Sequence, residues 1–516
     1  MRYDVVVAGG GPVGLFLACD LRSRGLSVLV LERDTEPGSP LKRVPFGVRG
    51  LRTPGIEVLD RHDLLTPLLP QSRDDQLRWS GGHFAGIPLD AQDIDPSHWT
   101  YQLPGVGTTQ LDVTLEDLER VLAERAILLG VDVRRGAAVS HIESAADEVT
   151  VRAGDERYRG RWLVGCDGDR SAVREKAGFS SLDAEPEFTG YSLSVDIADP
   201  AVLPPARERR FFPLTEGPGG LYTQWQPGAL AMIDFDGGAF HGSGPITRGH
   251  VQRVLRRITG TDVTVNAMRF ASTWTDRARQ ATTYRRGRVL LAGDAAHTHS
   301  PVGGEGLGLG LADAANLGWK LAATVRGRAP DGLLDTYSAE RHPVAERVFD
   351  WTRAQVALLR PGAHALKAVF RDLVRTRAVA THLAERLWGV SRACDLGGSH
   401  PLVGRSCPDF EFGRRTRVGT LLQSGAGLLL DFSRESALRA LANRWGDQVT
   451  YLAARPEDRL GLGAVLVRPD GVVAWAGDTA ADPEEVSQAA ARWFAPQVGA
   501  ANVAAAGASP EKRRTP

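Results

Sequence analysis

The sequence predicts an α/β protein built on a Rossmann-like sheet into which a second, antiparallel sheet is inserted. Three observations carry this. A strand–glycine turn–helix–strand unit opens the chain at residues 3–32. A buried-type strand, Val289-Leu290-Leu291, resumes the same pattern far downstream. Between them, from about 187 to 276, hydrophobicity alternates along short segments separated by Gly/Pro turns. A long helical region, about 306–392, and a small α/β unit, about 400–497, follow.

In the opening unit, Val5-Val6-Val7 is a β-branched run that reads as a buried parallel strand. Gly9, Gly11 and Gly14, with Pro12 between them, fit the G-x-G-x-x-G pattern. Gly9 permits the tight turn, Gly11 lets the backbone approach a pyrophosphate, and Gly14 lets the helix pack closely. The helix runs to about Arg24 and Gly25 stops it. The next strand, Ser27–Leu31, ends in Glu32, 18 residues beyond Gly14 and near the offset expected for a ribose-binding acid. A plain glycine turn followed by a solvated acid is the competing reading. The unit alone does not separate FAD from NAD.

Residues 35–110 are rich in Pro, Gly and Asp and read as loops. A helix over 114–129 ends at Gly130, and strands follow at Val131–Val133, Glu148–Val151 and Tyr158–Val164. In the inserted module, Tyr191–Val195, Gly220–Trp225 and Leu230–Ile233 read as antiparallel strands. In the last unit, Pro469-Asp470-Gly471 turns one strand into the next. The expected organisation is a nucleotide-binding domain at 1–180, with about 70–110 contributing to a substrate pocket. A β-sheet substrate domain at 181–280 follows, then the rest of the nucleotide-binding domain with the helical region at 281–395. A C-terminal domain occupies 400–497, and an Ala-rich, then charged tail at 499–516 is expected to be disordered.

Composition limits the function. The 516 residues carry zero formal net charge, which gives no support for nucleic-acid binding. No run of 18 apolar residues suggests a membrane span, and the first strand begins too early for a signal peptide. Cys19, Cys166, Cys394 and Cys407 show neither C-x-x-C nor zinc spacing, so a reducing cytoplasm is expected. His297-Thr298-His299 invites a metal reading, but no third ligand stands nearby, and no metal is expected.

Two further segments match the first. Cys166-Asp167-Gly168-Asp169-Arg170-Ser171 follows a strand. Gly293-Asp294 follows another, with the glycine-rich run Pro301-Val302-Gly303-Gly304-Glu305-Gly306-Leu307-Gly308 beyond it. An Asp at a strand end can accept from a ribitol hydroxyl, and a glycine loop opening a helix can bring N–H groups to a ring edge. The three segments together read as the holder of one flavin.

On these motifs the chain resembles the single-component FAD-dependent aromatic hydroxylases, the para-hydroxybenzoate hydroxylase-like group. The match is close at Gly9–Gly14, Glu32-Arg33, Cys166–Arg174 and Gly293–Leu321, and Arg49-Gly50-Leu51 is similar to an early FAD-contacting loop. His400–Gly404 and Val467–Gly471 are similar to the thioredoxin-like C-terminal domain of the larger members, which include polyketide-tailoring and antibiotic-inactivating enzymes. The resemblance implies an FAD site at Gly9, Gly11, Pro12, Gly14, Glu32, Arg33, Arg49, Asp167, Asp294, Pro301, Gly304, Gly306, Leu307 and Gly308. It implies NADPH or NADH as transient co-substrate, without a domain of its own, docking near Arg43, Arg170 or Arg174. It implies O₂ activation through a flavin C4a-hydroperoxide and hydroxylation of a phenolic or polycyclic aromatic substrate. Baeyer–Villiger-type or ring-modifying oxygenation, or flavin oxidoreduction without oxygen insertion, are the alternatives. An interaction protein is a further reading, against which the missing C-x-x-C counts only for thiol redox. A monomer or homodimer is expected.

Substrate contacts are sought at Phe84, Gln224, Trp225 and Trp274, since aromatic faces stack on planar rings. His83, His241 and Tyr222 are the candidates for moving a proton. The chain departs from the family at Glu305, where Gln is common, and after Arg49-Gly50-Leu51, where an arginine is common and the reading here is Thr53-Pro54-Gly55. A carboxylate beside reduced flavin would be unfavourable, so Glu305 is expected to point outward.

Overall fold

The computed structural model describes residues 2–69, 77–78, 82–103, 105, 109–203, 215–413, 416–434, 436–479 and 481–496. The expected tail, 499–516, lies outside them.

Five parallel strands form the central sheet, in the order Val289–Leu291, Glu156–Gly165, Arg2–Ala8, Val28–Leu31, Asp132–Arg134. The three flavin segments leave the carboxyl ends of three adjacent strands of this sheet. That is where α/β sheets open a crevice for ligands. Helix α1 (Pro12–Ser23) follows the first strand, starts on Pro12, and gives way to left-handed Gly25. Residues Thr53–Arg61 form helix α2, although the stretch 35–110 read as loop. Pro54 and Gly55 look like a turn, but proline in a helix's first turn forfeits no hydrogen bond. Helix α3 (Leu115–Leu129) is capped by the Thr114 hydroxyl, which accepts from the Asp117 N–H, and ends at left-handed Gly130. Helix α4 (Ala172–Lys176) is capped in the same way by Ser171.

The inserted module is a five-stranded antiparallel sheet running from Thr189–Ile197 to Val265–Thr275, with helix α5 (Arg248–Thr259) against one face. Strand alternation divides its side chains. Tyr191, Leu193, Tyr222, Leu230 and Met232 face α5 and form a closed core with Val251, Val254, Leu255 and Ile258. Leu221 and Ile233 face the other way and pack with Phe84, Phe188, Trp274 and Val302.

The helical region comprises α6 (Gly306–Val325), α7 (Thr336–Leu359), α8 (His364–Val374) and α9 (Arg377–Trp388). Beyond it, strands Gly427–Asp431, Val449–Ala453, Ala464–Val467 and Val473–Gly477 form a separate mixed sheet. This sheet is docked through one continuous core, in which Trp319 of α6 lies with Trp445, Trp493 and Phe494. No helix among the described residues is long and apolar enough to cross a membrane.

Candidate flavin and substrate site

The glycines of the first segment serve three separate physical needs. Gly9 has φ of +104°, and a Cβ there would sit 2.3 Å from the Cys166 carbonyl oxygen. The first and second segments therefore touch. At Gly14 a Cβ would lie 2.0 Å from the Gly9 oxygen, so only glycine lets α1 start this close to the turn. At Gly11 a Cβ would meet nothing within 4 Å, as suits a backbone kept bare for a ligand. The third segment closes on the first: a Cβ on Gly293 or Gly310 would meet Val13 at 3.1 or 2.7 Å.

Glu32 is held by backbone. Its Oε2 accepts from the Gly10 N–H at 2.6 Å and its Oε1 from the Asp34 N–H at 2.8 Å. Each oxygen keeps acceptor capacity for a ribose hydroxyl. Arg33, beside it, is exposed and pairs with Asp34. Asp294 is reachable by solvent, and its carboxylate has no hydrogen-bond partner among the described residues. Protein still crowds it enough that desolvation raises its pKa, against the pull of His299 and His297. Arg49 spends one guanidinium nitrogen on the carbonyls of Phe46 and Val48 and lies within the Coulomb field of Asp294. Asp167 acts locally: its oxygens accept from the Ser171 hydroxyl at 2.5 Å and the Val173 N–H at 3.0 Å.

Behind Asp294, buried Asp313 accepts from the Gly293 N–H, His297 Nε2 and Arg341. That bond ties up His297 Nε2, and the His299 ring lies against Gly306 and Ser300. Pro301 and Gly304 are exposed, and Gly306, Leu307 and Gly308 are half-buried. A Cβ on Gly304 would meet nothing within 4 Å. The unpartnered Asp294 carboxylate and the open space at Gly11 and Gly304 fit an FAD laid from Glu32 to the start of α6.

Of the substrate candidates, Trp225 and Trp274 lie on the sheet face away from α5, where Trp274 shares a cluster with Val302 of the flavin loop. Trp225 meets Phe46 edge-on at 5.6 Å, and Trp274 lies over Gly190 and against Phe188. Phe84 is buried between Trp351 and Phe370. Gln224 is corrected: paired across the sheet with Leu230, it faces α5. Tyr222 and His241 are corrected for the same reason. Tyr222 belongs to the α5 core, and exposed His241 bonds Thr273, which pairs with Tyr191 on that same face. Among the proton-transfer candidates only His83 remains near the cleft. Burial, helped by the charge of Arg52, pushes its pKa down to about 4. Arg174 is corrected as well. It is buried, and its guanidinium donates to the Ala295 and Asp169 carbonyls. Arg170 is exposed, and Arg43 is exposed but paired with Glu116.

Glu305 does not point outward. Its side chain is 4 % exposed and lies between Arg52, at 2.8 Å, and Arg392. Arg52 directly follows Leu51, so an arginine does follow that loop. Gln355 of α7 was also missed. It is fully buried, its Oε1 accepts from the Ala85 N–H at 3.2 Å, and a Cβ on Gly303 would lie 2.8 Å from its Nε2. Buried Thr223, whose hydroxyl has no partner, pairs with Ala231 on the strand face opposite Tyr222. One residue's exposure inside a helix or strand leaves no mark in a single sequence.

A cavity of about 300 Å³ lies elsewhere, at the seam with the C-terminal sheet, lined by Pro54, Arg61, Tyr101, Asn316 and Arg405 among others. None of the flavin-segment glycines lines it.

Comparison with known proteins agrees with this geometry. Residues 2–352 match the family model described as FAD binding domain, and residues 400–496 match that described as aromatic-ring hydroxylase, C-terminal. A rifampicin monooxygenase of Streptomyces venezuelae is 38 % identical over 508 residues, covering 95 % of this chain and 98 % of that protein. A dialkyldecalin synthase of Streptomyces rugosporus is 36 % identical over 504 residues, covering 96 % and 100 %. Among solved structures, an anhydrotetracycline hydroxylase from Streptomyces rimosus superposes with a TM-score of 0.81 at 35 % identity, covering 96 % of this chain and 100 % of that one. The chain belongs to the single-component FAD-dependent aromatic hydroxylases, and it is an FAD-binding monooxygenase of that family.

Proposed function

We propose that the protein is an NAD(P)H- and O₂-dependent monooxygenase that hydroxylates a phenolic or polycyclic aromatic substrate of polyketide or antibiotic type. The observation that supports it most is the aromatic face of the inserted sheet away from α5, which packs with Val302 of the Pro301–Gly308 loop. Bound FAD, once reduced, supplies activated oxygen to the ring. Glu32 would hold the adenosine ribose, Asp294 the ribitol, and the start of α1 the pyrophosphate. The N–H groups of Gly306–Gly308 would meet the ring edge. Trp225, Trp274 and Phe84 would give the substrate an apolar wall and keep water from the reacting atoms. Arg170 and Arg43 are surface cations suited to transient NAD(P)H docking. A base with a pKa near 4 is a poor partner for a phenol, so His83 serves better as a neutral hydrogen-bonding group than as the base. The four unpaired cysteines fit a reducing cytoplasm.

Flavin-dependent chemistry without oxygen insertion is a second reading, favoured by the full-length likeness to a protein named dialkyldecalin synthase. Turnover under ¹⁸O₂ with a panel of polyketide phenols separates the two. Hydroxylation adds one labelled oxygen atom to the product, whereas unlabelled product would overturn the first reading in favour of the second.

A further inference from the structure

The Arg52–Glu305–Arg392 cluster stands at the entrance of α6, where the chain turns from the flavin loop into the helix. Glu305 is the residue before the helix's first turn, yet its carboxylate makes no capping bond to its own helix. Thr114, Ser171 and Thr247 at corresponding positions of other helices do cap theirs. The first N–H groups of any helix have no intrahelical partner, and the helix's positive end attracts a carboxylate. Here two arginines hold it off. Arg52 comes from the start of α2 and also donates to the Leu387 carbonyl at 3.0 Å. Arg392 comes from the segment joining α9 to the C-terminal sheet. The cluster sums to one positive charge, and its arginines are 20 % and 22 % exposed, so solvent screens it only in part.

We propose that Glu305 is a positioning residue that sets the reduction potential of the bound flavin. Its charge trims that of the two arginines from two to one. Its capture by them leaves the N–H groups of Gly306, Leu307 and Gly308 free for the ring. Reduced flavin carries negative charge, so a more positive surrounding favours reduction. Glu305→Gln, which keeps the shape, raises the local charge. Arg392→Gln lowers it and leaves Arg52 alone to hold Glu305.

This rests on FAD lying beside the Gly304–Gly308 loop. The experiment is the midpoint potential of the FAD-loaded full chain, measured against reference dyes without substrate, with flavin content checked by absorbance. Glu305→Gln is expected to shift the potential upward by at least a tenfold change in the equilibrium constant, about 30 mV for a two-electron couple. Arg392→Gln is expected to shift it downward, and Arg392→Lys to stay near the parent. A simple packing role would not produce shifts of opposite sign. A Glu305→Gln potential at or below the parent value overturns the proposal and leaves the FAD placement standing. Loss of flavin from Glu305→Gln overturns it too, because the carboxylate would then serve to hold the loop together. A parent chain that takes up no FAD would sink the placement itself.

Discussion

The flavin cleft and the seam beneath the C-terminal sheet treat polar groups in opposite ways. At the seam, Arg468 donates to both oxygens of Glu340 and to Asp470, Lys320 donates to Glu340 and Asn316, and Asn316 donates to Asp470 and Glu340. Trp493 lies under the Arg468 guanidinium at 4.4 Å. Burial alone would raise Glu340, but Arg468 and Lys320 outweigh it and hold its carboxyl well below the usual range. Burial pushes Lys320 down to about 8 against the pull of Glu340. Every charge there is answered inside the chain. In the cleft, the Asp294 carboxylate has no hydrogen-bond partner among the described residues, and Gly11 and Gly304 face open space. A saturated cluster joins parts of one molecule, whereas an unsatisfied one awaits another molecule.

The sharpest way to break this comparison is at the seam. Arg468→Ala should destabilise the protein by about 3–5 kcal/mol, because Asp470 is left buried without its salt-bridge partner and Glu340 keeps Lys320 alone. Urea unfolding reads this, and a loss under about 1 kcal/mol would show the seam to be wet. Removal of residues beyond Gly398 takes away Arg468 and Asp470 together, leaving Glu340 with Lys320 alone, and should expose Trp319.

In the cleft, Asp294→Ala should leave unfolding little changed and weaken FAD binding by about 1.5–3 kcal/mol. Titration of apoprotein with FAD checks it, and equal dissociation constants for mutant and parent would remove Asp294 from the site.

Two glycines sharpen the point within one turn. Gly14→Ala should damage folding, since its Cβ would strike the Gly9 carbonyl. Gly11→Ala should fold normally and lose FAD affinity. Equal melting temperatures for the two variants would contradict the division of labour.

The smallest effect concerns His83. Its folded pKa of about 4 lies below the free value of 6.5, so the native state binds fewer protons between those values. Its stabilising contribution is present above pH 6.5 and is lost as pH falls towards 4. Activity should show no His83 titration between pH 6 and 9, and His83→Asn should leave that profile unmoved. A profile whose inflection vanishes in the variant would restore His83 as an acid–base group.

Much of the fold was legible because local rules governed it. Gly25 and Gly130 stop helices by left-handed backbone, and the β-branched Val5–Val7 and apolar Val289–Leu291 runs announce the parallel sheet. Helix α2 was hidden by Pro54 and Gly55, which signal a turn unless they happen to occupy a first turn. The glycine and acid motifs proposed to hold FAD stand where local rules place them, at strand ends.

The sequence by itself determined the glycine turns and strand-end acids proposed as the cofactor cradle, since such features act over a few residues. It also determined that a second sheet is inserted and that the C-terminal unit has strands of its own. Only the tertiary structure decided which face of that sheet meets the flavin loop, because period-two alternation names two faces without choosing between them. It decided that Tyr222 and Gln224 turn to α5 while Trp225 and Trp274 do not. It decided that Glu305 is clamped and buried, because its partners stand 253 and 87 residues away. Charges that far apart in sequence find each other only when the chain has folded.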